Sequence, residues 1–399
     1  MNPYEASVQP ISRSLRSWQA LLPPSLNLRG QPLARSRLLL AACALETAPP
    51  MLNDAESQRQ AALIRRVERQ LRLRFLSLMP HEGVCEHLLT ALFMLSALTC
   101  AAARREQSAE VRGVLDFLLP ENCDMLYRTA NLLSLEYGVS AGEVLGNQTE
   151  LMPGRPCIAA HRHPYDDVRP PLKGIESSAS SFVSLYLLHA AARSVSRMAA
   201  NALQAENPRA RALYAELSLI LSEHAAQYGG LLGCGRAPDL ELLLRAYAHC
   251  SLFSDLAGQE ENADLLPIWR EAYSACCAHL QKARELYRRR RPARPVPFEG
   301  EALPPPLLLR ADKGYIRGAM NSVGLTVRRG RRLPVGMLPA DADFFRYQQQ
   351  MNDDPLRVPS HAVVAAHILK TGRDFRLELA PHPIEMLRNR AADPVSVGR

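Results

Sequence analysis

Apolar residues recur at intervals of three and four along much of the chain, which is the spacing of one face of an α-helix. In the region 51–148 this pattern predicts helices over 54–78, 86–106, 108–119 and 121–138. The second of them is apolar nearly all round, so we expect it to be central. Pro120 should end the third helix, and Gly138 stands where a C-cap glycine would end the fourth.

A second run of helical pattern follows and is bounded by proline and glycine. It predicts helices over 180–204, 208–228, 239–257 and 264–290. Pro208 fits a helix start, where its missing N–H is not needed. A helix of roughly 20 residues is about 30 Å long, which is the dimension of a four-helix bundle.

The remaining segments lack this periodicity. Residues 1–50 predict an N-terminal arm with one short helix, and the proline-rich 149–179 predicts a linker loop. The bundle is expected at 180–291, after the helical region 51–148. Short β-like pieces mixed with one helical stretch predict a small α+β appendage over 292–399. The expected fold class is therefore mainly α.

Composition and charge indicate where in the cell the protein is found. The chain has 399 residues, with 48 Lys+Arg against 40 Asp+Glu, and much of the excess sits in local arginine runs. Its Arg-, Ala- and Leu-rich composition is typical of GC-rich bacterial genomes. The apolar run at 38–45 is too short to span a bilayer and lies too far from Met1 for a signal peptide, so we expect a cytoplasmic protein that does not bind a membrane. Nine cysteines then indicate buried thiols or ligands instead of disulfides.

Two helices carry a family resemblance. LYAELSLILSEHAAQY and IWREAYSACCAHLQKARELY, together with the order of the four helices over 180–290, resemble a ferritin-like di-iron domain. The stretch from MPGRP through HRHPYDDVRPPL to the end of the fourth helix also resembles an uncharacterised bacterial ferritin-like family. The resemblance implies a four-helix bundle in which one Glu from each of two helices and Glu-x-x-His from each of the other two hold the metals.

Only some of the implied ligand positions hold the residue type that the resemblance implies. Both histidines are present, at His224 and His279. The implied carboxylate positions hold Ala191, Leu221, Ala246 or His249, and Cys276. Without those acids, burying two divalent cations is prohibitive. A shift of one helical turn would bring Glu216 or Glu223 into consideration beside His224.

The remaining groups leave two readings open. His224, His249, Cys276 and His279 could form a tetrahedral zinc or copper site, with iron as a further alternative. We favour the other reading, in which these are buried core residues and the protein has no cofactor. Cys276 and Cys277 are not expected to bridge, since adjacent helical residues point about 100° apart.

Three weaker candidates have structural explanations. The loop residues His161, His163, Asp166 and Asp167 could bind a metal, but a proline-locked loop is favoured. Glu86 and His87, preceded by His81 and Glu82, fit a helix cap better than a half-site. RRRRPAR at 288–294 fits the basic end of a helix, and no nucleic-acid module or phosphate-binding loop supports another function.

Two functional hypotheses follow. The first is a ferritin-like protein that has lost its di-iron ligands and acts as a non-catalytic structural or regulatory partner, a pseudoenzyme that forms a homo- or hetero-oligomer with a ferritin-like paralogue. The alternative is a metal-dependent oxidoreductase that uses the altered His/Cys site.

Overall fold

The structure, a computed structural model, describes residues 28, 31–46, 52–79, 83–146, 178–205, 207–233, 236–304 and 315. This part of the chain is 82% helical and contains no strand, which confirms the mainly α expectation. The helices are α1 (Pro32–Ala44), α2 (Ala55–Ser77), α3 (Val84–Arg105), α4 (Ala109–Tyr137), α5 (Ala141–Leu145), α6 (Ala179–Asn201), α7 (Pro208–Leu232), α8 (Pro238–Gln259) and α9 (Leu266–Arg290).

Side-chain caps set several helix ends. Asp54 accepts a hydrogen bond of 2.7 Å from the Ser57 N–H at the start of α2, and Ser108 caps the start of α4. Gly138 ends α4 in the left-handed conformation with φ +66°, as predicted. Helix α7 runs past its predicted end near residue 228 and stops before Gly233, whose φ is +77°.

The prediction that Pro120 ends a helix is wrong. Helix α4 continues through this position, so the segments 108–119 and 121–138 form one helix. An interior proline costs about 3 kcal/mol because its N–H is missing. Leu115 and Leu119 before it and Leu126 after it are buried, and each buried leucine contributes about 2 kcal/mol. Burial on both sides therefore outweighs the local cost.

Helix α3 is central, as its sequence predicts. Every residue from Leu88 to Ala103 is buried. Among the described helices, α3 alone is long and apolar enough to cross a membrane by length and composition, and 83% of its most apolar window is buried inside the protein. Its apolar character therefore corresponds to packing in the core.

The chain divides into two compact units built from separated segments. The first unit takes Met1–Glu82, Pro171–Ser194 and Ala225–Leu309, and the second takes Gly83–Pro170, Val195–His224 and Arg310–Arg399. Each unit thus draws helices from both sides of the 149–179 segment, and α6 and α7 contribute to both. The boundaries predicted from the sequence stay predictions.

In the first unit α8 packs along α9, while α1 contacts α2 and α8, and α2 contacts α9. Three aromatic rings fill this core: the Phe75 ring centroid lies 5.7 Å from that of Phe253 and 5.1 Å from that of Trp269. The Trp269 indole N–H donates to Glu260 over 2.9 Å. In the second unit, α3 packs against α4 and α5.

Several predictions fall elsewhere. The linker 149–177, with His161, His163, Asp166 and Asp167, lies outside the described residues, as do His81 and Glu82. The same is true of the α+β appendage, apart from 292–304 and residue 315.

Candidate functional site

Three of the four predicted metal ligands lie in the first unit. His249 is on α8, and Cys276 and His279 are three residues apart on α9. Each is at most 2% exposed. His224 is also buried, but it belongs to the second unit.

A buried ion pair stands at the centre of the first set. Glu68 on α2 is 2% exposed, and Arg245 on α8 is 3% exposed. The Arg245 guanidinium donates to Oε2 of Glu68, and His249, one turn further along α8, donates to its Oε1 over 3.1 Å. Residues four apart share a helix face, so the two α8 side chains reach the same carboxylate.

Both ring nitrogens of His249 are engaged by protein groups. A carboxylate only accepts, so Nδ1 carries the proton that is shared with Glu68. Nε2 lies 2.9 Å from the Ala44 carbonyl and 3.2 Å from the Tyr186 hydroxyl. In the neutral ring Nε2 accepts from Tyr186, and in the charged ring it donates to Ala44. A metal would have to displace these partners.

The charges in this set are fixed by their neighbours. Burial by itself would raise the pKa of Glu68, but the Arg245 guanidinium and the hydrogen bond from His249 outweigh it and hold that pKa at about 2. Burial lowers the pKa of His279 to about 4, against the attraction of the Glu68 carboxylate. At neutral pH the site therefore holds an ionised Glu68 beside a neutral His279.

The thiol of Cys276 is protonated. Burial raises its pKa well above the ordinary range, and the nearby Glu68 carboxylate acts in the same direction. A metal-binding cysteine must be a thiolate, so this environment opposes coordination. Within the described ranges, no group of three or more His, Cys, Asp and Glu side chains is arranged to hold a metal ion.

His224 has its own partners in the second unit. Its Nε2 lies 2.7 Å from Oε2 of Glu121, and its Nδ1 lies 3.2 Å from Oδ1 of Asn122. The Asn122 amide donates in turn to Thr99 over 3.1 Å. Its two ring nitrogens are therefore held by α4, and the arrangement suits a hydrogen-bonded core histidine.

The implied carboxylate positions are apolar core. Ala191, Leu221 and Ala246 are each at most 3% exposed. Glu216 instead forms a bidentate ion pair with Arg128, within the second unit. The nearby acid in the sequence is thus already neutralised by an arginine.

The second cysteine of SACCAHL faces a different neighbour. Cys277 Sγ lies 3.4 Å from Cys250 Sγ on α8. Hydrogen bonds from Cys250 and Tyr273 lower the pKa of the Cys277 thiol, while burial opposes the shift.

The arginine run at the end of α9 forms ion pairs within the first unit. These pairs are Arg288–Glu299, Arg289–Glu56, Arg290–Asp54 and Arg291–Asp239. Cations at a helix C-terminus also interact favourably with the negative end of the helix dipole. Glu86 accepts from the Gly83 N–H over 3.0 Å at the start of α3, the capping role that its position indicates.

Sequence reasoning missed Glu68, Arg245 and Glu121. A signal for the first existed, because Glu68 lies four residues after Ile64 and three before Leu71, on the apolar stripe of α2. A charged residue in such a stripe is either a partnered buried group or an error in the helix assignment. Which helix supplies the partner is a tertiary fact that the stripe does not contain.

Comparison of the chain with protein-family models, with curated proteins and with solved structures finds no match.

Proposed function

We propose that the protein is a ferritin-like helical protein that has lost di-iron chemistry and acts as a non-catalytic structural or regulatory partner, in an oligomer with itself or with a ferritin-like paralogue. The helices that carry the resemblance are α6–α9. One observation supports it most: the Glu68 carboxylate, buried beside His249, is neutralised by the Arg245 guanidinium.

The physical argument concerns charge. A di-iron centre needs several carboxylates to balance two divalent cations in a core of low dielectric constant. Here one carboxylate already has a cation fixed beside it by α8, so a metal ion at Glu68 would meet a positive charge. The protonated thiol of Cys276 supplies no further negative charge. The ion pair between Glu68 and Arg245 is therefore suited to holding α2 and α8 together.

A specific observation favours the alternative, a metal-dependent oxidoreductase with an altered His/Cys site. Glu68 and Arg245 influence the charge states of both Cys276 and His279, so these side chains belong to one electrostatic cluster with His249. If Arg245 moved aside, nitrogen, sulfur and oxygen ligands would be near one another. The proposal of a lost centre and this alternative predict opposite metal contents.

The deciding experiment is metal analysis by mass spectrometry. The full chain is expressed with iron, zinc, manganese and copper supplied, beside a Cys276→Ala, His279→Ala double variant. We expect wild-type protein that is folded and holds far less than one metal per chain. Near-stoichiometric metal in the wild type that disappears in the double variant would overturn the proposal in favour of the oxidoreductase.

The partner role needs its own test. Light scattering on the purified chain measures its mass in solution, and a dimer or larger assembly is the expected result. A strictly monomeric chain that also binds no candidate paralogue in co-expression would contradict the partner role. The cytoplasmic location is part of the same proposal, and fractionation of the host cell checks it.

A further inference from the structure

Two thiols face each other across the α8–α9 hairpin. Cys250 Sγ and Cys277 Sγ are 3.4 Å apart, and both cysteines are free. The next pair along the two helices, Ser254 and Tyr273, also lies across the hairpin, since both side chains take part in the same hydrogen-bonded group as Cys277. The register of α8 against α9 therefore sets the thiols opposite each other.

We propose that Cys250 and Cys277 form a reversible disulfide when the protein meets a hydroperoxide, which makes the pair an oxidation site of the first unit. A disulfide has an S–S length of about 2.05 Å, so the sulfurs must approach by about 1.4 Å. Rotations about χ1 of two small side chains supply movement of this size.

The step balances with the hydroperoxide as the oxidant. The Cys277 thiolate attacks the distal peroxide oxygen, the O–O bond breaks, and the alcohol or water leaves with one proton. The resulting sulfenic acid is attacked by the Cys250 sulfur, which forms the S–S bond and releases water. Two thiols lose two electrons and two protons in total, and the peroxide is reduced by the same two electrons.

Exposure assigns the two roles. Cys250 is 3% exposed, whereas Cys277 is partly exposed and is the thiol that a small oxidant can reach. Cys276, its neighbour in sequence, is fully buried and lies near Glu68. Adjacent helical side chains diverge by about 100°, so Cys276 cannot take the place of Cys250.

The disulfide would join two helices that also carry the buried polar cluster. Cys250 follows His249 directly, and Cys277 follows Cys276. The bond would close a loop between residues 27 apart in sequence and so reduce the freedom of the unfolded chain. The oxidised protein should therefore melt at a higher temperature than the reduced protein.

The test is peptide mapping of the folded full-length chain. Reduced protein is treated with hydrogen peroxide, alkylated and digested with trypsin without reduction. Cleavage after Arg245, Arg270 and Lys282 separates the two thiols into peptides 246–270 and 271–282. We expect these peptides to be linked, the link to disappear on reduction, and the rise in melting temperature to vanish with it.

Variants identify the sulfurs. Cys277→Ser and Cys250→Ser should each abolish the linked peptide, while Cys276→Ala, the matched control on the same turn, should retain it. The wild-type map stands even if a variant does not fold. The proposal is overturned if oxidation gives Cys277 sulfinic acid without the link, joins 276 to 277, or links the peptides only after denaturation.

Discussion

The carboxyl group of Glu68 lies in the core of the first unit, where its charge is tolerable only beside Arg245. Glu68→Leu leaves the guanidinium buried without its partner, and such a loss typically costs about 3–5 kcal/mol of unfolding free energy. The double change Glu68→Leu, Arg245→Met removes both charges at similar volume. We expect it to recover most of that loss, as measured by urea denaturation.

Recovery should stop short of the wild-type value. The Nδ1 proton of His249 loses its acceptor in both variants, which costs about 1–3 kcal/mol. A double variant no more stable than Glu68→Leu alone would show that Arg245 does not depend on Glu68. The surface pair Arg289–Glu56 is the matched control, since both side chains are about half exposed and their loss should cost less than about 1 kcal/mol.

His279 makes stability depend on pH. Its pKa is about 4 in the folded chain against an ordinary value of 6.5, so between these values the unfolded chain binds more protons. The unfolding free energy therefore falls as the pH falls from 6.5 toward 4, by on the order of 3 kcal/mol. His279→Gln should therefore make the unfolding free energy depend less on pH, as measured by urea denaturation at a series of pH values between about 7 and about 4.5.

The measurement stops at pH 4.5 so that Glu68 does not contribute to it. The stability that the Glu68 carboxylate provides is lost only as the pH falls from 4.5 toward about 2. His189 is the control, because burial lowers its pKa as well but it is less deeply buried. His189→Gln should leave the contribution of His279 in place. Identical pH profiles for wild type and His279→Gln would contradict the assignment.

The same residues show what the sequence can and cannot predict about the site. The family resemblance points to His224, His249, Cys276 and His279, and all four are buried. Their partners were not found, because Glu68 lies 181 positions before His249 and Glu121 lies 103 positions before His224. Periodicity identifies a buried face but not which helix packs against it.

Helix α4 offers a test at the scale of the element. Gly113 is exposed in its interior, and an added Cβ would meet no atom within 4 Å. Gly113→Ala should raise the unfolding free energy by about 0.5–1 kcal/mol because alanine has less backbone freedom to lose. A Cβ added at Gly138 would also meet no atom within 4 Å, but Gly138 has φ +66°, which alanine adopts only with strain. Gly138→Ala should therefore lower the unfolding free energy by about 1 kcal/mol.

The two glycines control for each other, because neither alanine creates a clash. Chemical denaturation of both variants measures the difference. Changes of the same sign would mean that the Gly138 backbone is not held in the left-handed conformation.

At this scale the sequence predicted most helices well, since α2, α3, α6, α8 and α9 begin and end close to the expected residues. The helix end predicted at Pro120 was wrong, because that prediction considered only the local cost of a proline inside a helix. Tertiary burial, which a local pattern does not contain, decides whether a helix continues through a proline.

At the scale of the whole molecule, order along the chain was a poor guide to what packs together. Helix α2 contacts α9 in the first unit although 211 residues separate their starts, Ala55 and Leu266. The candidate cluster takes Glu68 from the early helical region and His249 from the late one. A group assembled this way cannot be read from either region alone.

The stability of the whole chain should not depend on metal. A ligand that binds only the folded state adds RT ln(1 + [L]/Kd) to the unfolding free energy, about 2.7 kcal/mol at a hundredfold excess over Kd. Because Arg245 already neutralises Glu68, we expect the same melting temperature in chelator and in added zinc, copper or iron. This comparison also detects an ion that purification strips from the protein, since adding it back would raise the melting temperature. A rise with one metal that disappears in the Cys276→Ala, His279→Ala variant would contradict the proposed loss of the metal centre.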